Sequence, residues 1–265
     1  MTPRELEVWL AGELAAFPGR VSLLMADLES GQTLHAVEPD TAVPAASTIK
    51  LPILLAAVEA VERKELALRT PVAVPETAIL PDTTVFEPEN RRETYPLLEL
   101  LYWMITVSDN TATNVLIDLL GMEPVNDLCR RWGAEQTCLQ RRMLDFAAQS
   151  AGRENLTTAR DQYQLYAGLF RRTRRERPGP WTFALDTLLR QRCQDAFLRY
   201  LNGPITVAHK TGGLDHVHHD AGLFLDSRRP YYLGCFTWEG PSLDGEPEQA
   251  RFLGRVARQF YETYS

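Results

Sequence analysis

Residues 44–61 read Pro44-Ala45-Ala46-Ser47-Thr48-Ile49-Lys50-Leu51-Pro52, followed by the apolar run Ile-Leu-Leu-Ala-Ala-Val-Glu-Ala-Val. This run predicts a helix with Ser47 at its entrance and Lys50 one turn later on the same face. A serine hydroxyl needs a neighbouring base to act as a nucleophile, and a lysine can be that base only if burial or charge lowers its pKa. On its own, the pattern is more typical of a serine that caps a helix beside a solvated lysine.

Two further motifs follow along the chain. Ser108-Asp109-Asn110 interrupts two predicted helices, and Lys210-Thr211-Gly212-Gly213 follows a predicted strand. Each of these motifs is rare at average residue usage, so their occurrence in order with the first motif is improbable as a coincidence. Asp109 has a simpler interpretation, as the cap of the helix that begins near residue 111.

Strand patterns lie at both ends of the chain, and helical patterns fill the middle. The predicted strands are 21–28, 33–37, 205–209, 220–226 and 231–239, and the predicted helices are 3–16, 47–64, 95–107, 111–121, 123–132, 158–170, 180–192 and 246–264. This order predicts an α+β fold with one antiparallel sheet from the two ends of the chain, covered by the terminal helices. We expect a single domain over residues 1–265, with an α/β lobe (1–64 and 203–265), an all-helical lobe (65–202) and a cleft between them.

Composition excludes several classes of function. The chain has 265 residues and a formal net charge of -7, which predicts no nucleic-acid surface. The N-terminus lacks the apolar core of a signal peptide, and no stretch is long enough to cross a membrane. We therefore expect no membrane partner and a protein that is cytoplasmic as written, or else the mature form of a secreted or periplasmic one.

The cysteines and histidines do not predict a metal site. None of the four cysteines has a metal-ligand spacing. Cys193 and Cys235 lie in apolar patterns and are expected in the core, while the sequence leaves the pairing of Cys129 with Cys138 open. We expect the histidines after the third motif to lie in a hairpin loop rather than on a metal: His216, His218 and His219. No metal and no cofactor is expected.

The three motifs together resemble those of the class A β-lactamases and penicillin-binding proteins, the penicillin-recognising enzymes with an active-site serine. The resemblance spans almost the whole chain and implies a three-layer α/β/α sandwich of the β-lactamase/transpeptidase type. It implies that Ser47 attacks a β-lactam to form an acyl-enzyme and that Lys50 is its base or proton relay. Ser108 would pass a proton to the lactam nitrogen, and Asn110 would orient Lys50 and the substrate amide.

The same resemblance assigns residues that bind substrate. Lys210 and Thr211 would hold a substrate carboxylate, and Gly212 would let the strand lie close to the ligand. The backbone N–H groups of Ser47 and Gly213 would form the oxyanion hole, which can contribute several kcal/mol to catalysis.

One loop departs from the pattern of hydrolytic class A enzymes, in which a glutamate activates the water that releases the acyl group. Residues 141–149 read Arg-Arg-Met-Leu-Asp-Phe-Ala-Ala-Gln, without a glutamate. Asp145 is the nearest carboxylate, and Glu154 lies beyond the loop. Because loss of a general base costs about 10²–10⁴ in rate, we expect acylation to be faster than deacylation.

The predicted function is hydrolysis of a β-lactam or a related carboxylated amide or ester, by a monomer. Two alternatives remain open at this point. One is an esterase, amidase or D-alanyl peptidase that uses the same residues. The other is a module that binds penicillin or a peptidoglycan fragment and stays acylated.

Overall fold

The structure, a computed structural model, describes residues 1–175, 178–242 and 247–265. The helices are α1 (Pro3–Ala16), α2 (Lys50–Glu62), α3 (Leu97–Thr106), α4 (Asn110–Leu120), α5 (Met122–Arg131), α6 (Phe146–Ser150), α7 (Ala159–Arg175), α8 (Pro180–Leu189) and α9 (Glu248–Tyr264). The strands are β1 (Arg20–Asp27), β2 (Thr33–Val37), β3 (Val43–Pro44), β4 (Pro71–Ala73), β5 (Thr94–Pro96), β6 (Leu156–Thr157), β7 (Val207–Leu214), β8 (Val217–Phe224) and β9 (Tyr231–Trp238). None of the described helices is both long and apolar enough to cross a bilayer.

Five strands form one antiparallel sheet in the order β2-β1-β9-β8-β7. The two ends of the chain meet in it, because β1 pairs with β9 and places Leu23 opposite Cys235. Strands β8 and β9 are buried along their whole length, and this explains the nearly continuous apolar sequence of β9, whereas β8 buries three polar residues as well. Strand β7, which carries the third motif, lies at one edge of the sheet.

Helices cover both faces of the sheet. On one face, α1 contributes Leu6 and Leu10 and α9 contributes Phe252 and Phe260 to a single apolar cluster. On the other face, α7 packs against β1 and β9, α8 packs against β7, and α2 lies in the same larger cluster. The predicted α/β/α sandwich is therefore confirmed. The division into two lobes near residues 64 and 203 remains a prediction.

Several predicted boundaries change in the region of the third motif. Strand β7 continues through residues 210–213, so this motif is part of the strand instead of following it. Strand β8 begins at Val217, which makes the hairpin-loop prediction wrong for His218 and His219, both buried strand residues. Their polar side chains made this segment look like a loop, although it is a strand covered on both faces. Of the three histidines, only His216 lies in the turn.

Other differences concern the cysteines and two helix ends. Cys193 is partly exposed rather than a core residue, whereas Cys235 is buried as expected. Cys129 and Cys138, whose pairing the sequence left open, are both free. Helix α7 continues past the predicted end at Phe170, through residue 175. The predicted start of the last helix, residue 246, lies outside the described residues.

Two glycines inside helices offer a matched test of packing. A methyl group on Gly168 of α7 would lie 2.5 Å from Cε3 of Trp132, whereas one on Gly12 of α1 would meet nothing within 4 Å. We expect Gly168→Ala to destabilise the protein by about 1–3 kcal/mol, since overpacking must displace the indole ring. Gly12→Ala should instead stabilise it by up to about 1 kcal/mol, because alanine is the better helix former. Urea denaturation of both variants measures the difference, and shifts of the same sign would contradict this account.

Candidate active site

The nucleophile candidate lies in a 3₁₀ turn, Ala46–Ile49, that leads directly into α2. Ser47 does not cap this helix, since the residue before α2 is Ile49, which makes no side-chain capping bond. Ala46 has a φ of 46°, an uncommon value for a residue other than glycine. The turn brings Lys50 Nζ to 3.0 Å from Ser47 Oγ, as expected for side chains three residues apart.

Lys50 is the centre of the polar network, although its side chain has no exposed surface. Besides Ser47 Oγ, its Nζ contacts the Ser108 carbonyl at 2.6 Å, Ser108 Oγ at 3.0 Å and Asn110 Oδ1 at 2.7 Å. These atoms join the first and second motifs around one nitrogen. The structure thereby brings together the four residues that the sequence assigned to catalysis.

The same burial changes the chemistry of the Lys50 amine. Desolvation lowers its pKa well below the ordinary value, and the positive charge of Lys210 lowers it further, while Asp109 and Asp82 act in the opposite direction. A neutral amine has a lone pair for the serine proton, whereas an ammonium has none. The surroundings of Lys50 therefore favour the form that can act as a base.

The Ser108 turn between α3 and α4 is conformationally unusual. Ser108 has a φ of 59°, in the left-handed region, and both its carbonyl and its hydroxyl face Lys50. Its Oγ lies between two amines, 3.0 Å from Lys50 Nζ and 3.1 Å from Lys210 Nζ. This hydroxyl is therefore placed to relay protons between the two sides of the cleft.

Asp109 and Asn110 fix this turn from outside. Asp109 caps α4, as predicted, because its Oδ1 accepts from Ala112 N at 2.7 Å. The Asn110 side chain bridges two groups: its Oδ1 faces Lys50, and its Nδ2 donates to Asp82 Oδ2 at 2.6 Å. Asp82 was not predicted from the sequence. It lies in a Pro- and Thr-rich connection, where nothing in the local pattern indicates a contact 28 residues away.

The third motif forms the opposite wall of the site. Burial lowers the pKa of Lys210 to about 8, against the effects of Cys193 and Asp220, and its Nζ also donates to the Thr211 carbonyl at 2.8 Å. A methyl group on Gly212 would lie 3.0 Å from the Ser47 nitrogen, so only glycine lets the strand pack this closely on the nucleophile turn. Because side chains alternate along a strand, Thr211 lies on the face of β7 opposite to that of Lys210, and it pairs in register with Asp220. The role of Thr211 in binding remains a prediction.

His219 positions the chain just before the nucleophile. Its Nε2 donates to the Pro44 carbonyl at 2.8 Å, and its Nδ1 accepts from Thr237 N at 3.2 Å. Burial lowers the pKa of His219 to about 4, so the imidazole is neutral at physiological pH. No local sequence pattern indicates this contact, since it depends on the register of β8 beside β7.

A cleft opens in front of Ser47. Ser47, Asn110 and Gly213 line it together with apolar side chains from the 141–149 loop and β7: Met143, Leu144, Phe146 and Leu214. Three polar side chains, Arg141, Glu154 and Asn155, line it as well. The loop that lacks a glutamate therefore contributes Arg141, Met143, Leu144 and Phe146 to the cleft, and none of these side chains is a carboxylate that could activate water.

The two carboxylates considered as bases differ in position. Asp145 caps α6, with its Oδ1 accepting from Ala148 N at 2.9 Å, and it does not line the cleft. Glu154 does line the cleft. Its Oε1 accepts from Arg141 Nε at 2.9 Å and from Asn155 N at 2.8 Å, and its Oε2 accepts from Gln149 Nε2 at 2.7 Å. Within the described ranges, no group of three or more His, Cys, Asp or Glu residues could hold a metal ion.

A family model for the Beta-lactamase enzyme family matches residues 5–264. The chain belongs to this family. The β-lactamase-like enzyme inferred from the three motifs is thus confirmed at the family level. The β-lactamase of Bacteroides uniformis is 23% identical over 244 residues, covering 83% of this chain and 78% of that protein. The β-lactamase regulatory protein BlaB of Streptomyces cacaoi is 29% identical over 133 residues, which are 50% of this chain and only 42% of that protein.

Solved structures agree with the fold. PBP-A superposes with a TM-score of 0.84 at 28% identity, covering 97% of this chain and 95% of that one. A variant of PBP-A with one leucine replaced by glutamate, solved as an acyl-enzyme complex with penicillin G, has a TM-score of 0.83 at 27% identity. It covers 98% of this β-lactamase-family chain and 94% of that structure.

His219 predicts how the stability of this β-lactamase-family protein depends on pH. Unfolded, the imidazole binds a proton near pH 6.5, whereas the folded protein binds it only near pH 4. The contribution to stability is therefore complete above pH 6.5 and is lost as the pH falls toward 4, up to about 3 kcal/mol. Urea denaturation between about pH 4 and 7 should show a smaller loss in His219→Gln than in the wild type.

Two comparisons make this test specific. His35 and His218 also have pKa values lowered by burial, so the wild type and His219→Gln both lose some stability in the same pH range. His216→Gln, which changes an exposed imidazole of the same hairpin, should leave the wild-type pH dependence in place. An identical pH dependence in His219→Gln and the wild type would contradict the prediction.

Proposed function

We propose that the protein hydrolyses β-lactams through an acyl-enzyme formed on Ser47. The observation that carries the proposal is the buried Lys50 amine, 3.0 Å from Ser47 Oγ and surrounded by oxygen atoms of Ser108 and Asn110. A desolvated amine beside a serine hydroxyl is an arrangement that produces a nucleophile at neutral pH. Membership of the Beta-lactamase enzyme family and the penicillin G acyl-enzyme of PBP-A support the same substrate class.

Acylation follows from this geometry. Lys50 accepts the Ser47 proton while Ser47 Oγ bonds to the lactam carbonyl carbon. The backbone N–H groups of Ser47 and Gly213, which line the same cleft, stabilise the resulting oxyanion. The carbon–nitrogen bond then breaks, and the lactam nitrogen takes a proton from Ser108, whose hydroxyl is reprotonated through the adjacent lysines.

Substrate binding uses the edge strand β7. The Lys210 ammonium attracts the carboxylate of a small-molecule substrate, with Thr211 beside it and the two following glycines leaving space along the strand. The pKa of Lys210 of about 8 means that the positive charge is present at neutral pH and is lost as the pH rises through 8. A monomer without a cofactor is sufficient for this chemistry.

Deacylation is the slow step in this proposal. The 141–149 loop lines the cleft with the apolar side chains of Met143, Leu144 and Phe146, and a side chain of this kind cannot take a proton from water. Glu154 lies in the cleft, but both of its oxygens already accept hydrogen bonds, including an ion pair with Arg141. Its oxygens are therefore engaged by protein donors instead of being free to bind a water molecule.

The first test of the proposal is covalent labelling. Intact-mass analysis after incubation with penicillin G should show one penicilloyl adduct on the wild type and none on Ser47→Ala. The exposed Ser150→Ala, on α6, is the matched control and should label as the wild type does. An adduct that persists in Ser47→Ala would eliminate Ser47 as the nucleophile. Parallel incubations with a D-alanyl peptide and a simple ester would separate this function from the peptidase and esterase alternatives.

The second test is the time course of turnover. We expect nitrocefin hydrolysis to show a burst of about one equivalent per enzyme, followed by a slower steady phase, because the oxyanion hole favours acylation while the 141–149 loop supplies no base for attack by water. Acid quenching during the steady phase should trap mostly acyl-enzyme. Absence of a burst, with free enzyme predominant at saturating substrate, would show that deacylation is not limiting.

Variants of the two carboxylates extend this test. We expect Glu154→Gln to slow the steady phase by less than about tenfold, because removal of a true general base costs about 10²–10⁴. Asp145→Asn, which keeps a capping side chain on α6, should change the steady phase still less. A loss of more than about a hundredfold in Glu154→Gln, with normal burst amplitude, would identify Glu154 as the base and refute slow deacylation from a missing carboxylate.

A further inference from the structure

A buried histidine–aspartate pair lies directly behind the substrate-binding strand. His209 precedes Lys210 on β7 and therefore faces the opposite side of the sheet, where Asp220 of β8 lies beside it. His209 Nδ1 donates to both carboxylate oxygens, at 2.9 Å and 3.1 Å, and neither side chain is more than 1% exposed. The chemical steps described above use neither residue.

Asp220 also connects the strand to the segment formed by residues 191–197. Its Oδ2 accepts from Phe197 N at 3.1 Å, at the end of the segment 191–197. At the other end of this segment, Gln191 Nε2 donates to the Ile105 carbonyl at 2.8 Å, and Arg192 N donates to the carbonyl of residue 106 at 2.9 Å, close to the Ser108 turn. One carboxylate thus joins β7, β8 and the segment 191–197, whose Cys193 acts on the pKa of both buried lysines.

The pair has features that packing alone does not explain. His209 Nε2 is buried and has no hydrogen-bond partner among the described residues, an arrangement that costs stability. Asp220 is an acidic residue without exposed surface, and it precedes Ala221, the β8 residue paired with Lys210. An anion in this position favours the protonated form of that lysine, and Asp220 indeed acts on the pKa of Lys210 in the opposite direction to burial.

We propose that Asp220, oriented by His209, is a positioning residue that keeps Lys210 a cation for carboxylate recognition and holds segment 191–197 against the site. Two lysines share this buried network and need opposite protonation states, Lys50 neutral and Lys210 charged. Asp220 distinguishes them, because it acts on Lys210, whereas the acidic groups that act on Lys50 are Asp109 and Asp82. The inference rests on the proposed function in one respect, the role of Lys210 as the carboxylate-binding group.

The ionisable groups around the pair belong to several elements. Lys210 interacts with Lys50 of α2, with Cys193 and with Asp220. Asp220 interacts in turn with ionisable groups of four elements, namely His209 of β7, His218 of β8, Tyr232 and Cys235 of β9 and Tyr166 of α7. A substitution that removes the charge of Asp220 but keeps its shape leaves all of these side chains in place.

The test is the pH profile of kcat/KM for penicillin G between about pH 5.5 and 9.5. In the wild type we expect the alkaline limb near pH 8, where Lys210 loses its proton. In Asp220→Asn this limb should move to lower pH, since the anion that favours the ammonium is gone. Each unit of displacement lowers kcat/KM at pH 8 about fivefold, with a much smaller loss near pH 6, and the loss should lie in KM more than in kcat.

Two further variants separate charge from structure. His209→Asn keeps a donor for Asp220 and keeps the carboxylate, so its alkaline limb should not move to lower pH. Asp226→Asn removes an exposed aspartate just beyond the end of β8, and its profile should match the wild type. The same profiles with p-nitrophenyl acetate, a neutral ester, report on acylation without carboxylate recognition and should not show the displaced limb.

The outcomes distinguish failure of the proposed function from failure of the role assigned to Asp220. If the wild type forms no acyl-enzyme with penicillin G, the proposed function fails. If the wild type is active but Asp220→Asn loses kcat/KM equally at all pH values, Asp220 is a structural residue only and the inference fails alone. If Asp220→Asn does not fold, a downward displacement of the limb in His209→Asn, which retains the charge, would overturn the inference by itself.

Discussion

One buried nitrogen connects the turns around Ser47 and Ser108. Lys50 has no exposed surface, so its amine must find oxygen partners within the protein, and it finds them on a 3₁₀ turn and on the Ser108 turn. An uncompensated buried amine would be costly, so these turns are held at fixed positions relative to α2. The left-handed backbone of Ser108 is consistent with this constraint, because it directs two oxygens of one residue toward the same amine.

The sequence predicts those parts of the site that are local in the chain. Ser47 with Lys50 and the Asp109 cap follow from spacing, and the sheet built from both chain ends follows from the order of elements. Contacts that depend on strand register or on irregular connections could not be predicted. Asp82, His219 and Asp220 are of this kind, because each meets its partner through the packing of segments distant in sequence.

The histidines show why polarity misled the sequence analysis. His218 and His219 follow a glycine-rich motif and look like loop residues, yet both are buried in β8. Both ring nitrogens of His219 are hydrogen-bonded to the backbone, one to the Pro44 carbonyl and the other to Thr237 N. A neutral imidazole can therefore be buried without an unsatisfied polar atom. Hydrophobic patterning detects strands with apolar buried side chains. It misses strands whose buried polar side chains form hydrogen bonds with the neighbouring backbone.

The pairing of β1 with β9 has a consequence for how the chain folds. Leu23 lies opposite Cys235, so the central strand pair joins segments from opposite ends of the sequence. During synthesis on the ribosome, the helices of the middle region emerge well before β9. Until β9 emerges, β1 has no partner on that side. The turn around Ser47 also lacks its packing partners at that stage, since Gly212 and His219 are translated late. A nascent chain of this protein therefore contains Ser47 and Lys50 long before the walls of the cleft around them can form.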